Sequence, residues 1–185
     1  MSRFAAFDIG TNNVLLAVAD RLEDGRWSPV LDRGEITRLG EGVDRTGILS
    51  PEAIQRTVAV LARFAEEARS LGAERLAAAA TSASRDAKNG MDLVEAARRI
   101  AGVEVEIISG QREAELVFRA VQGDFGEPGR PLVAVDIGGG STEVIYGEHT
   151  GLPSFRTSLQ IGSVRLTERH VHSHPIPIAE RGEVR

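Results

Sequence analysis

Val133–Gly147 reads VAVDIGGGSTEVIYG: an apolar strand, an aspartate, three glycines, a Ser-Thr pair and a glutamate, then a strand again. The same plan stands near the start in Phe4–Asp20, FAAFDIGTNNVLLAVAD. Apolar runs on both sides of a short polar turn predict a hairpin. A chain that repeats its hairpin restarts its sheet, so residues 1–125 are expected to form one complete α/β domain. Residues 126–185 are expected to begin a second with the same opening.

The segments between support this. Arg3–Phe7, Val14–Ala19 and Trp27–Arg38 predict three strands, and "RLGEGVDRTGILS" predicts a glycine-rich loop. Ser50-Pro51-Glu52 has the chemistry of a helix start, with apolar residues at helical spacing from Ile54 to Leu71 and a stop at Gly72. Arg75–Ala80 reads as a short buried strand or an alanine-rich helix, its position after a helix favouring strand; "TSASRDAKNG" is polar, Leu93–Ile100 predicts a helix and Val103–Ile108 a strand. Ser109 is placed to cap a helix from Gly110 to about Gln122. "GDFGEPGRP" punctuates the chain before strands Leu132–Asp136, Glu143–Tyr146 and Ser154–Ser158, and Ser163–His170 begins a helix. Hairpin, third strand, then alternating helix and strand predict a mixed sheet with flanking helices. The start of a second sheet is expected to be poorly ordered alone, or to pair with another copy or with a missing piece, because it lacks covering helices. The tail "HSHPIPIAERGEVR" is expected to be loosely ordered.

Composition excludes several classes. Net charge is −5 and aromatics make up 4% of 185 residues, which disfavours a general nucleic-acid binder. No cysteine is present, so neither disulfides nor thiolate chemistry are available. No long apolar segment suggests a membrane span or a leader, and the expectation is a cytoplasmic protein.

The two interrupted strands carry the chemistry. Glycines at 10, 138, 139 and 140 let backbone N–H groups approach an anion closely, and successive amides in a turn form an anion-binding nest. Thr11, Asn12, Ser141 and Thr142 add side-chain donors. Asp8, Asp136 and Glu143 would repel a phosphate, and they make sense around a hard divalent cation such as Mg2+. One such loop is equally well a turn in which Asp serves the backbone. Two copies, each opening its own sheet, favour the phosphate reading.

Asp8-Ile9-Gly10-Thr11-Asn12 and Asp136-Ile137-Gly138-Gly139-Gly140-Ser141-Thr142-Glu143 resemble the two phosphate loops of the actin-like (ribonuclease H-like) superfamily. With "ATSASRDAKNG" (Ala80–Gly90), "ISGQREAELVF" (Ile108–Phe118) and "LQIGSVRLTE" (Leu159–Glu168), the chain resembles the exopolyphosphatase and guanosine pentaphosphate phosphohydrolase family. That resemblance implies Mg2+-dependent hydrolysis of a terminal phosphoanhydride, of polyphosphate or of the pentaphosphate, in a cleft between two actin-like domains. It implies Glu113 as the general base acting on water. It implies Arg85 and Asn89 as contacts to the phosphate chain, with Asp136, Glu143 and their counterpart Asp8 around the metal. Family members are about twice as large in domain content, so the chain is read as a fragment or a truncated form, catalytically impaired by itself.

Other readings stay open at this stage. A kinase or ATPase of the same superfamily would need an adenosine pocket built largely from residues beyond 185. A non-catalytic phosphate or nucleotide sensor would not need Glu113, Arg85 and Asp136 intact. His170, His172 and His174 alternate, but no apolar pattern accompanies them, and they are read as surface histidines.

Overall fold

The computed structural model describes residues 2–171 and 173. His172, His174 and the tail lie outside the described residues. The element order is β1 (Ser2–Ile9), β2 (Asn13–Arg21), β3 (Trp27–Ile36), α1 (Val43–Thr46), α2 (Pro51–Ser70), β4 (Arg75–Ala80), α3 (Ser82–Asp86), α4 (Gly90–Ala96) continued by a π-helical turn (Ala97–Ala101), β5 (Val105–Ile107), α5 (Gly110–Phe125), β6 (Leu132–Ile137), β7 (Thr142–Gly147), β8 (Phe155–Leu159) and α6 (Ser163–His170). The chain divides into two compact units, residues 1–107 and 108–185.

In the first unit five strands run in the order β3-β2-β1-β4-β5. β1 is antiparallel to β2 and parallel to β4, so the sheet is mixed. Alternation decides the faces: Ala5, Phe7 and Ile9 of β1 and Val14, Leu16 and Val18 of β2 are all buried. They share a core with Val58, Leu61, Phe64 and Ala65 of α2. Helix α2 starts where its cap predicts, the Ser50 side chain accepting from the Ala53 amide at 3.1 Å with Pro51 in the first turn. Burial of Leu61 and Phe64 is worth about 2–3 kcal/mol each. The hairpin's outer end is pinned by Arg3, whose Nε donates to Asp20 Oδ1 at 2.8 Å and whose Nη2 donates to Oδ2 at 2.9 Å.

In the second unit three antiparallel strands run β6-β7-β8. One face meets α5, where Ala114 and Phe118 bury against Ala134 and Ile145. The Gln122 side chain donates to the carbonyl oxygens of Glu148 and Gly151. From its place in the chain, this helix is expected to end the first domain. In the structure it covers the second sheet, because its apolar stripe packs on β6, β7 and β8. The second sheet therefore has a helix on one face. Its other face, with Val133, Val135, Ile137, Tyr146 and Phe155, is exposed.

Candidate functional site

Both interrupted strands fold into the same turn. The Gly10 amide donates to the Asn13 carbonyl at 2.9 Å, and the Gly138 amide donates to the Ser141 carbonyl at 2.9 Å. In each loop the inner carbonyls are occupied. Asn12 O accepts from the amides of Thr37 and Arg38, and Thr11 O from the amide of Gly40. Gly138 O accepts from the Ser163 amide, Gly139 O from those of Val164 and Arg165, and Gly140 O from Arg165 Nε at 2.8 Å. Among the described residues, nothing accepts from the amides of Thr11 and Asn12, or of Gly139, Gly140 and Ser141. Carbonyls drawn inward and amides left over make a concentration of donors suited to an anion. Thr11 is 8% exposed and its hydroxyl has no partner among the described residues, a further donor without an assignment.

In the first unit other elements converge on the loop. The Thr81 amide donates to Ile9 O at 3.1 Å, which places the start of α3 beside the end of β1. Arg85 lies half-buried in the last turn of that helix. Asp8 lies exposed near the end of β1, across from Leu15 on β2 and Ala79 on β4. Asn89 does not join this group. Its Oδ1 accepts from the Leu49 amide at 2.8 Å, and its Nδ2 donates to Leu49 O and Asp92 Oδ2. These bonds tie the segment before α2 to the start of α4, and both kinds of polar atom on the side chain are already engaged.

In the second unit Asp136 and Glu143 sit directly opposite each other on β6 and β7, and Ser158 completes the row on β8. Ser158 Oγ donates to Glu143 Oε1 at 2.6 Å, and Glu143 is 1% exposed. Neighbouring carboxylates repel each other, and a cation relieves that repulsion. The donors are hard oxygens, which fit Mg2+. Among the described residues no group of three or more His, Asp or Glu is gathered for a metal, so further positions would fall to water and substrate oxygens. Glu113 stands half-buried in the first turn of α5, whose N-cap is Ser109 Oγ accepting from the Arg112 amide at 3.2 Å. Glu115 is committed elsewhere, to Arg156 at 3.1 Å and Arg112 at 3.4 Å. Thr142 Oγ1 donates to the Ile161 carbonyl, so this hydroxyl anchors the loop.

The model of the Ppx/GppA phosphatase family matches residues 18–184. The chain belongs to the Ppx/GppA phosphatase family. It is 44% identical over 190 residues to an exopolyphosphatase 2 of Mycobacterium tuberculosis, covering 97% of this chain and 58% of that protein. It is 37% identical over 167 residues to a guanosine-5'-triphosphate,3'-diphosphate pyrophosphatase of Vibrio atlanticus, covering 90% of this chain and 33% of that one. The crystal structure of an exopolyphosphatase from Cytophaga hutchinsonii superposes with a TM-score of 0.90 at 30% identity, covering 98% of this chain and 58% of that chain. The fold is therefore the actin-like mixed α/β type. This Ppx/GppA chain spans little more than half the length of the exopolyphosphatases it matches. Among the described residues no helix is long and apolar enough to cross a membrane.

The residues that the sequence reading missed are those that hold the loops: Thr37–Gly40 in the first unit, and Ser158, Gly162 and Arg165 in the second. One signal was available, the recurrence of Leu39-Gly40 and Ile161-Gly162 just past the third strand of each meander.

Proposed function

We propose that this chain carries the phosphate cradles and the general base of an exopolyphosphatase, a Mg2+-dependent hydrolase that removes the terminal phosphate of inorganic polyphosphate. The observation that carries the reading is the Gly138–Ser141 loop, with unused amides at its tip and the Asp136–Glu143 pair at its base. A polyanion needs such donors, and phosphoryl transfer depends mainly on positioning and charge stabilisation. The loop amides would hold phosphate oxygens, and the Arg85 guanidinium would pair with a phosphate along the chain. Asp136 and Glu143 would hold the Mg2+ ion in the second unit, and Asp8 is the acid at the matching position of the first. When bound, that ion neutralises charge on phosphate oxygens. Glu113 would accept a proton from water as the water oxygen bonds to the terminal phosphorus. The phosphoanhydride P–O bond then breaks, and inorganic phosphate and a chain shorter by one unit leave.

The Vibrio atlanticus relative supports a second substrate, guanosine pentaphosphate, cleaved by the same chemistry at its terminal phosphate. Phosphate release from polyphosphate, the pentaphosphate and ATP, each with and without Mg2+, tests the proposal on the longest natural chain that carries this sequence. Rapid release from polyphosphate that depends on Mg2+ is expected. Glu113→Gln should lower kcat by about 10²–10⁴-fold with little change in KM, because a base acts in the transition state and a neutral isostere still fits. Rapid cleavage of ATP with none of polyphosphate or the pentaphosphate would overturn the reading in favour of an ATPase or kinase.

A further inference from the structure

We infer that Gly40 and Gly162 are positioning residues: each is the contact through which its own unit sets the shape of a phosphate loop. The inference rests on the phosphate reading above. Neither glycine lies in a loop it would serve. Each follows the third strand of its meander, where the chain turns back onto the hairpin turn.

At Gly162 the approach is between backbones. A Cβ there would fall 2.4 Å from Gly139 O, 2.5 Å from Gly139 C and 2.5 Å from Gly140 C. Real Cβ atoms essentially never come that close, and the atoms in the way are backbone that cannot swing aside. The next residues follow immediately with the bonds from Ser163, Val164 and Arg165 to the loop carbonyls. The glycine is what lets those donors arrive. By taking the carbonyls inward they orient the peptide planes of Gly139 and Gly140, and so aim the amides.

At Gly40 the contact is softer. A Cβ would fall 2.3 Å from Thr11 Cγ2 and 3.3 Å from both Thr11 O and Ala83 Cβ. The close atom is a side-chain methyl, which a rotation or a truncation relieves. The same segment gives Thr11 O and Asn12 O their partners. It also holds Arg38 at φ 50, the sole non-glycine residue with positive φ among those described. That conformation costs of order 1 kcal/mol or more and persists where the surroundings impose it.

The test uses tripolyphosphate as the probe and follows the backbone amides of Thr11, Asn12, Gly139, Gly140 and Ser141 by heteronuclear NMR, with thermal midpoints in parallel. In the wild type the amides of both loops are expected to shift on titration. Gly162→Ala is expected to weaken binding at Gly139–Ser141 by about tenfold or more, the cost of displacing one or two charge-assisted hydrogen bonds, with Thr11 and Asn12 responding as before. Gly40→Ala is expected to show the opposite selectivity with a smaller loss. Thr11→Ser keeps the hydroxyl, removes Cγ2, and is expected to restore the Gly40→Ala response. If Gly162→Ala does not fold, Arg165→Ala decides, because it removes the Nε bond to Gly140 O without adding a Cβ. Wild-type amides that ignore tripolyphosphate would overturn the phosphate reading and the inference with it. A wild type that responds, with Gly162→Ala or the substitute Arg165→Ala responding identically at Gly139–Ser141, would overturn the inference alone.

Discussion

The two hairpins are built on the same plan and covered on opposite faces. Ala5, Phe7 and Ile9 of β1 are 2%, 2% and 1% exposed, buried under α2. Their counterparts on β6, taken from the aligned Asp-Ile-Gly, are Val133, Val135 and Ile137, which are 66%, 57% and 71% exposed. The other face is reversed. Ala134 and Ile145 are buried under α5, whereas the corresponding Ala6 and Ala17 of the first unit are exposed. Strands of this kind are apolar on both faces, as strands of doubly covered sheets are. The sequence of a strand therefore calls for cover without naming the helix that supplies it.

The comparison breaks most sharply at matched positions. Phe7→Lys should abolish folding of residues 1–107, because it buries an unpaired charge in a closed core. Val135→Lys, the same position in the second hairpin, should change stability by no more than about 0.5 kcal/mol, as surface substitutions do. It should also reduce binding of a hydrophobic dye to the exposed patch. Chemical denaturation of the two variants checks both statements, and equal destabilisation would show that the β6 face is covered in solution.

A step smaller is Phe118→Ala. The core of the second unit has few fully buried side chains, and Phe118 is the largest of them. The substitution should cost about 3–5 kcal/mol. Amide hydrogen exchange should show loss of protection over 110–147 while the β1, β2 and β4 amides keep theirs. Uniform loss across the chain would contradict the separate cores.

Smaller still is the ion pair that only the first hairpin has. The Arg3 guanidinium hydrogen-bonds Asp20 and holds its carboxyl below the usual aspartate value. The second hairpin has Pro131 and Glu148 at the corresponding positions. A depressed folded-state pKa contributes stability that is present above the unfolded value, near 4, and lost as pH falls through the folded one. Asp20→Asn should therefore be less stable than wild type at pH 7. The gap should narrow as the pH drops below about 4. Urea midpoints from pH 7 to pH 2.5 measure it, and a gap independent of pH would remove the pair from the account. Ala6→Lys, on the open face of the first hairpin, should be the mildest change of all, within about 0.5 kcal/mol by the same denaturation.

Legibility followed the kind of signal each element emits. The β1, β2, β6 and β7 strands and α2 were readable because apolar runs ending in glycine, and a Ser-Pro cap, are local features. Helix α3 gives no helical signal in the sequence because its buried residues are Ser82, Ala83 and Ser84, small side chains whose burial comes from tight packing and leaves no apolar period. The pairing of α5 with the second sheet was not readable, because an apolar stripe does not say which sheet it will meet. In the candidate site, the Asp136–Glu143 apposition follows from the hairpin, since both residues flank the same glycine turn. The commitments of Asn89 to Leu49 and of Ser158 to Glu143 do not, since each joins residues that chain order leaves far apart.

The inward bonds of the two loops have a consequence for how such a protein can diverge. They run mainly from main-chain amides to main-chain carbonyls, with Arg165 Nε and Ser163 Oγ as side-chain donors beside them. A scaffold held in this way makes little demand on the identity of the residues that supply it. Thr11-Asn12 and Gly139-Gly140 can occupy the same turn, and a helix start can replace the end of a strand as the source of donors. Two hairpins of one plan can therefore differ in most of their letters and still present the same surplus of amides. The positions that cannot drift are the few where an added carbon atom would strike the turn.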